Sequence, residues 1–162
     1  MRIPDTGPPP TQEGSGGAPG RAEGLRIVAV IAGGREAAPL TISMPPHTSR
    51  LAQIRLVLRR SLPPRDPDDA SLYYGAVTEI LVNAIEAHEL VGCLDPVVVD
   101  VHPDEPRGVV VRDCGPGFDP TSEIEPQSHG SGHGLRIARA VCPELSIESS
   151  ASGTTVTLPF PT

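Results

Sequence analysis

One long amphipathic segment, DDASLYYGAVTEILVNAIEAHELVG over residues 68–92, restricts the fold more than any other part of the chain. Asp68 or Asp69 can cap its first turn, and Gly92 can end it. Its apolar residues recur at spacings of three and four, which predicts a helix with one buried face: Leu72, Tyr73, Ala76, Val77, Ile80, Leu81, Ala84 and Ile85. A buried face of this length needs an apolar surface to cover it.

Valine-rich and alternating segments after this helix predict the sheet that supplies such a surface. PVVVDV (96–101) and RGVVVRD (107–113) are joined by the turn HPDEP. Their valine runs favour strands with much of their area covered. ELSIES (144–149) and TTVTLPF (154–160) alternate apolar and polar residues on either side of SASG, which predicts a closing hairpin.

Four further segments complete the predicted order of elements. LRIVAVIAG (25–33) and PLTISMP (39–45) are predicted strands, and HTSRLAQIRLVLRRSL (47–62) is a predicted helix. A Gly- and Pro-rich loop over 114–130 leads into a predicted helix, LRIARAVC (135–142). The order β, β, α, α, β, β, loop, α, β, β predicts an α/β fold, namely a two-layer sandwich with a mixed, mostly antiparallel sheet and helices on one face.

The N-terminal segment is predicted to lie outside this domain. Residues 1–24 contain five prolines, six glycines and almost no large apolar residue. Such a segment cannot bury enough surface to offset its ordering entropy, so we predict a disordered tail and a folded domain over 25–162. The alternative is a partner-binding tail in which the PPP run forms a polyproline helix.

Charge and cysteine content restrict the classes of partner and the compartment. The formal net charge is -7, which argues against nucleic acid and against an anionic membrane surface as partners. The three cysteines form no CxxC pair, and the start MRIPDTG lacks the apolar region of a signal peptide. We therefore expect a cytoplasmic protein whose reduced cysteines pack as small hydrophobic residues.

The long helix carries a first pair of candidate chemical groups, Glu79 and Asn83. Residues four apart share one face of a helix. A carboxylate there can act as a general base, and the neighbouring amide oxygen can ligate a hard cation such as Mg²⁺. The alternative is a solvated polar face, since Glu and Asn are common on helix surfaces.

A second candidate group follows the valine strand, where DCGPGFDP places Asp113 ahead of Gly115 and Gly117. A carboxylate at this point can accept a hydrogen bond from an exocyclic amine, and the glycines let a flat ring approach the backbone. An ordinary turn is an equal alternative, because Asp, Gly and Pro are all common in turns. At the start of the last strand, Thr155 could contribute a hydroxyl, although threonine is also simply common in strands.

The stretch HGSGHGL gives the third group, with Gly130, Gly132 and Gly134 directly before the helix predicted from Leu135. The N-terminus of a helix exposes unpaired N–H groups and the positive end of its dipole, which favours phosphate. A hinge is the alternative. A zinc site at His129 and His133 is disfavoured, because no further ligands lie near them in the sequence.

In order, these groups read E-x-x-x-N, D-x-G-x-G, G-x-G-x-G-L and G-T-T. That ordered pattern resembles the GHKL (Bergerat-fold) ATPase superfamily, which includes gyrase, histidine kinases and MutL, over residues 39–160. The stretch EILVNAIEAH and the compact domain look most like the stand-alone anti-sigma-factor serine/threonine kinases of bacteria. The resemblance implies the Bergerat two-layer sandwich as the fold and ATP with Mg²⁺ as the ligands.

The resemblance also implies a role for each motif residue. The motif residues on the long helix would be the catalytic base, Glu79, and the Mg²⁺ ligand, Asn83. Asp113 would hold the adenine amino group. The adenine pocket would be lined by Gly115 and Gly117. The lid over the phosphates would be formed by Gly130, Gly132 and Gly134. The adenine site would be closed by Thr155.

The function that the resemblance implies is an ATP-dependent serine/threonine kinase that regulates transcription. Its partners would be a sigma factor and a STAS-domain anti-anti-sigma protein, and family members commonly form homodimers. Two alternatives stay open at this point. The first is a nucleotide-gated sigma-factor-binding protein without significant kinase activity, and the second is a detached histidine-kinase-like ATPase domain.

Overall fold

A computed structural model describes residues 24–29, 39–62, 67–104, 106–119 and 131–161. Within these residues the chain forms one six-stranded sheet and three helices. The longest helix packs against three strands of the sheet, and the other two helices pack against it. The predicted two-layer α/β fold is confirmed. The predicted N-terminal tail lies outside the described residues except for Gly24.

The strands run in the spatial order β1-β2-β3-β4-β6-β5. Every neighbouring pair is antiparallel among the described strands, whereas the sequence led us to expect a mixed sheet. Their bounds are β1 Arg26–Ala29, β2 Leu40–Met44, β3 Val97–His102, β4 Gly108–Arg112, β5 Ser146–Ser150 and β6 Gly153–Pro159.

The connections explain why the described strands form no parallel pair. Two consecutive helices, α1 (Leu51–Ser61) and α2 (Pro67–Val91), join β2 to β3 and reverse the chain twice, so β3 runs opposite to β2. A single helix, α3 (Ser131–Val141), joins β4 to β5, which leaves these two strands in the same direction. However, β6 lies between β4 and β5 and is antiparallel to both.

The core lies between the helices and one face of the sheet. Most of the predicted apolar face of α2 is buried, from Tyr73 to Ile85, but Leu72 is exposed. In α1, Ile54 and Leu58 are buried whereas Leu56 is exposed. Leu56 follows Ile54 by two residues, or about 200° around a helix of 3.6 residues per turn, and therefore lies on the opposite side.

Tyr73 fixes α2 over the last strand. It is fully buried, its hydroxyl donates to the Leu158 carbonyl oxygen at 2.7 Å, and its ring lies 4.6 Å from the Phe160 ring between centroids. These contacts hold the helix that carries Glu79 and Asn83 in a fixed position relative to β6. No helix of the described segments is both long and apolar enough to cross a lipid bilayer.

Candidate functional site

Glu79 and Asn83 lie on the side of α2 that faces α3, where they meet the backbone of Gly134. A Cβ atom on Gly134 would lie 2.9 Å from Glu79 Oε2 and 3.5 Å from Asn83 Nδ2. Both side chains are half-buried. The structure therefore brings together a carboxylate, an amide and the first turns of α3, which the sequence places about 50 residues apart.

Helix α3 begins at Ser131, four residues before the predicted start at Leu135. Gly132, His133 and Gly134 thus belong to the first turn of the helix and not to a loop ahead of it. The prediction failed because glycine is a poor helix former. Burial of Leu135 and Ala138 in the core offsets that weak local preference. His129 and Gly130 lie outside the described residues.

The first turn of α3 contains no acidic residue. The first N–H groups of an α-helix have no partner within the helix, and they carry a partial positive charge. Since Gly134 adjoins Glu79 and Asn83, this positive end lies beside a carboxylate and an amide. An anionic ligand and a cation that neutralises it could both find partners here.

Asp113 follows β4 and has two differently used carboxylate oxygens. Oδ1 accepts hydrogen bonds from the backbone N–H groups of Gly115, at 2.9 Å, and Thr154, at 3.1 Å. The Asp113 N–H in turn donates to the Thr154 carbonyl oxygen at 3.0 Å. Within the described residues, Oδ2 makes no hydrogen bond. One oxygen thus holds the loop, and the other stays available as an acceptor.

Two glycines allow this loop to lie against the β5–β6 hairpin. Gly117 has φ +70, and a Cβ there would lie 2.0 Å from the Ser150 carbonyl oxygen. Gly153 has φ +138, and its Cβ would lie 2.1 Å from the Asp113 carbonyl oxygen. Positive φ and close backbone approach both require glycine. The packing of this loop against the hairpin is therefore enough to require glycine at position 117. The predicted role of Gly117 in lining an adenine pocket stays a prediction.

Thr154, the neighbour of the predicted Thr155, contacts Asp113 at this site. Thr154 is buried, and its hydroxyl lies 3.0 Å from Ser149 Oγ, which accepts the Phe118 N–H at 2.9 Å. Successive side chains of a strand point to opposite faces, so Thr155 points away from the helices. Thr154, Val156 and Leu158 alternate along β6 and are all buried, so they lie on the same face of the strand. The role predicted for Thr155 stays a prediction.

The cysteines differ from the expectation that all three are reduced. Cys93 and Cys114 form a disulfide, whereas Cys142 is free and buried. Cys142 donates to the Pro159 carbonyl oxygen, and burial raises the pKa of its thiol to about 11. The expectation of a small buried hydrophobic residue is therefore correct for Cys142 and wrong for the other two. The cytoplasmic location stays a prediction.

His88, the last residue of the stretch EILVNAIEAH, has contacts that the sequence did not predict. Its side chain is buried, and its Nε2 atom accepts the backbone N–H of Cys114 at 3.1 Å. The end of α2 and the end of β4 meet only in the folded sheet, so the spacing of His88, Cys93 and Cys114 in the sequence gave no signal. His88, Cys93 and Cys114 thus form a cluster next to Asp113, because Cys114 directly follows Asp113 in the chain.

Residues 44–160 match the family model of the histidine kinase-like ATPase domain. The chain belongs to this family. The match runs from the end of β2 to the residue after β6, and it leaves β1 outside. The superfamily that the four motifs predicted is thereby confirmed. No curated protein sequence gives a significant match.

The solved structures provide a second comparison for this histidine kinase-like ATPase domain. The crystal structure of the RsbU and RsbW domains of Rv1364c from Mycobacterium tuberculosis is similar, with a TM-score of 0.53 and 24% sequence identity. The similarity covers 74% of this chain and 31% of that chain. At this level of identity the likeness concerns the fold.

Proposed function

We propose that this chain binds ATP with Mg²⁺ and phosphorylates a serine or threonine of a STAS-domain anti-anti-sigma protein, and that it also binds a sigma factor. The observation that carries the proposal is the meeting of Glu79 and Asn83 with Gly134 in the first turn of α3. A general base, a metal ligand and a phosphate-binding helix N-terminus are the parts that phosphoryl transfer needs in one place.

The described residues offer suitable partners for each part of ATP. Asp113 Oδ2 is an acceptor without a partner among the described residues, as a purine amino group would require. The N–H groups at the start of α3 suit the phosphates. The chain contains no lysine, so all 13 of its basic residues are arginines. Charge compensation therefore falls to backbone N–H groups, to arginine and to the metal.

Asn83 is the residue that would hold Mg²⁺, through its amide oxygen. The bound ion would neutralise charge on the phosphate oxygens. Glu79 would take the proton of the attacking serine or threonine hydroxyl, the oxygen would bond to the γ-phosphorus, and the bond from that phosphorus to the ADP oxygen would break. The products are ADP and a phosphorylated partner. The half-buried position of Glu79 beside α3 suits a base that acts next to the phosphates.

One observation supports the anti-sigma branch of the family over the others. The motif EILVNAIEAH, in α2, resembles the form found in the stand-alone anti-sigma-factor kinases. The structure with RsbU and RsbW domains shares the fold of this chain, and the fold is common to all branches. The motif therefore supports a sigma factor and a STAS-domain protein as the partners, and the resemblance also leads us to propose a homodimer as the assembly.

A phosphotransfer assay tests the proposal. The full chain is incubated with γ-labelled ATP, Mg²⁺ and STAS-domain proteins encoded near it, and the labelled amino acid is identified after hydrolysis. We expect label on a single serine or threonine, and its replacement by alanine in the STAS protein should abolish labelling. Label on histidine would instead indicate a histidine-kinase-like domain. Sigma-factor binding that depends on ATP without any transfer would indicate a nucleotide-gated binding protein.

Asn83→Ala should remove the dependence of nucleotide affinity on Mg²⁺. For the wild type we expect about tenfold tighter binding of a fluorescent ATP analogue with Mg²⁺ than without, a factor equivalent to ~1.4 kcal/mol. Asn83→Ala lacks the ligating oxygen and should bind equally with and without the ion. The measurement is a titration with and without a chelator.

Asn83→Asp is the matched control for this experiment, because it keeps an oxygen ligand of nearly the same length. It should retain the effect of Mg²⁺. If Asn83→Ala responded to Mg²⁺ as the wild type does, the ligand would have to be another residue.

A further inference from the structure

We propose that the Cys93–Cys114 disulfide is a redox-active modification site, and that its reduction weakens nucleotide binding at the neighbouring Asp113. This inference rests on the proposed ATP binding, and it adds regulation of that binding by the redox state of the disulfide. The partner would be a small dithiol or a protein dithiol that reduces the bond.

The disulfide joins the two elements that build the candidate site. Cys93 directly follows Gly92, which ends α2 with φ +64, and Cys114 directly follows Asp113. One covalent bond therefore ties the helix that carries Glu79 and Asn83 to the loop that carries the proposed adenine acceptor. The two Cα atoms lie 6.8 Å apart across 21 residues of sequence.

The loop around Cys114 is also held by hydrogen bonds, on one side to α2 and on the other to the β5–β6 hairpin. The Cys114 N–H donates to His88 Nε2 at 3.1 Å, and Cys114 Sγ lies 3.5 Å from the same nitrogen. On the far side of Cys114, the Gly115 N–H donates to Asp113 Oδ1. Without the disulfide, the hydrogen bond to His88 still links Cys114 to α2, and Asp113 stays bonded to Thr154 of β6. The covalent link of this loop to α2 would be lost, so that the position of Asp113 relative to Glu79 and Asn83 would be held less firmly before nucleotide binds.

Both cysteines of the bond lie near the surface, where a reductant can approach them. Cys93 and Cys114 are partly exposed, whereas Cys142 is buried and its thiol keeps its proton at neutral pH. In the reaction, a thiolate of the dithiol attacks one sulfur and the other leaves as a thiolate. The second thiol of the reductant then resolves the mixed disulfide. Two cysteine thiols form, and the dithiol becomes a cyclic disulfide after transfer of two electrons.

Reduction should weaken nucleotide binding by about tenfold, the factor that corresponds to ordering roughly one additional backbone residue on binding. Coupling between two sites is reciprocal. Nucleotide should therefore stabilise the disulfide by the same factor. For a two-electron couple a tenfold factor lowers the midpoint potential by about 30 mV.

The test measures binding of a fluorescent ATP analogue to the full chain in both redox states. The oxidised and dithiothreitol-reduced proteins are compared with Mg²⁺ present, and mass spectrometry after alkylation confirms their states. A zinc-selective chelator is included throughout, because His88 and the two reduced cysteines offer three ligand atoms within 4.8 Å of one another. We expect about tenfold weaker binding after reduction.

Two variants complete the experiment. The double variant Cys93→Ser, Cys114→Ser should bind the ATP analogue as weakly as the reduced wild type does, and dithiothreitol should not change its affinity. Cys142→Ser removes a thiol outside the bond and should keep the full redox response. As a measurement on the unaltered protein, the midpoint potential is titrated with and without a non-hydrolysable ATP analogue, and it should fall by about 30 mV when nucleotide is present.

The outcomes separate this inference from the proposed function. Equal or tighter binding after reduction, or a midpoint potential that nucleotide does not change, would overturn the redox control and leave ATP binding intact. An absence of nucleotide binding in both states would overturn the proposed function and the redox control together.

Discussion

Replacing Glu79 by glutamine is expected to lower the rate of phosphoryl transfer by about 10²- to 10⁴-fold, the usual contribution of a general base. Glutamine has the size of glutamate but cannot accept the proton of the attacking hydroxyl. Because Glu79 Oε2 already lies next to the first turn of α3, we expect the amide to fit there. The affinity for ATP should change by about twofold or less, since the base acts only on the attacking group.

The measurement is single-turnover transfer from labelled ATP to the STAS-domain partner, together with a separate titration of nucleotide binding. Glu89→Gln is the matched control. Glu89 is exposed near the end of α2 and lies ten residues from Glu79, and its replacement should alter neither quantity. An unchanged transfer rate in Glu79→Gln would show that another group takes the proton.

Much of the fold could be predicted because the strongest patterns in the sequence are also the elements with the most packing. The three- and four-residue spacing in α2 predicted a helix whose apolar face is buried from Tyr73 to Ile85. The valine runs of β3 and β4 predicted strands whose Val97, Val99, Val101, Val109 and Val111 are buried. In these elements, local preference and tertiary burial favour the same conformation.

The errors occurred where local preference and tertiary packing disagree. The glycines before Leu135 argued against a helix, yet α3 begins at Ser131 because its apolar residues pack on α2. The role assigned to Thr155 stays a prediction. The G-T-T motif contains two neighbouring threonines, and only strand alternation identifies the one on the helix-covered face.

The Cys93–Cys114 bond could not have been predicted from composition. An odd number of cysteines without a CxxC pair favours free thiols. The pairing depends on where the end of α2 meets the end of β4, which is a property of the folded sheet. The same meeting places His88 beside Cys114, so one long-range contact accounts for the positions of His88, Cys93 and Cys114.

Asp113→Asn is expected to weaken ATP binding by about 100-fold, which corresponds to ~2.7 kcal/mol, while it leaves the loop intact. The backbone N–H groups of Gly115 and Thr154 both donate to Oδ1. They should therefore orient the new side chain with its carbonyl oxygen towards them. The amide NH₂ group then replaces Oδ2, so that a donor faces the adenine amino group in place of an acceptor. Binding of GTP should fall less than binding of ATP, because guanine presents an acceptor oxygen at the corresponding position.

Asp113→Ala separates the two roles of this side chain. Alanine leaves the Gly115 and Thr154 N–H groups without their acceptor, and an unsatisfied buried group costs about 1–3 kcal/mol. We therefore expect a lower free energy of unfolding for Asp113→Ala than for Asp113→Asn, measured by urea denaturation without nucleotide, and comparably weak ATP binding in both. If Asp113→Asn bound ATP as the wild type does, Oδ2 would not be the adenine acceptor. The resemblance would then fail at the one site residue whose free oxygen most directly supports it.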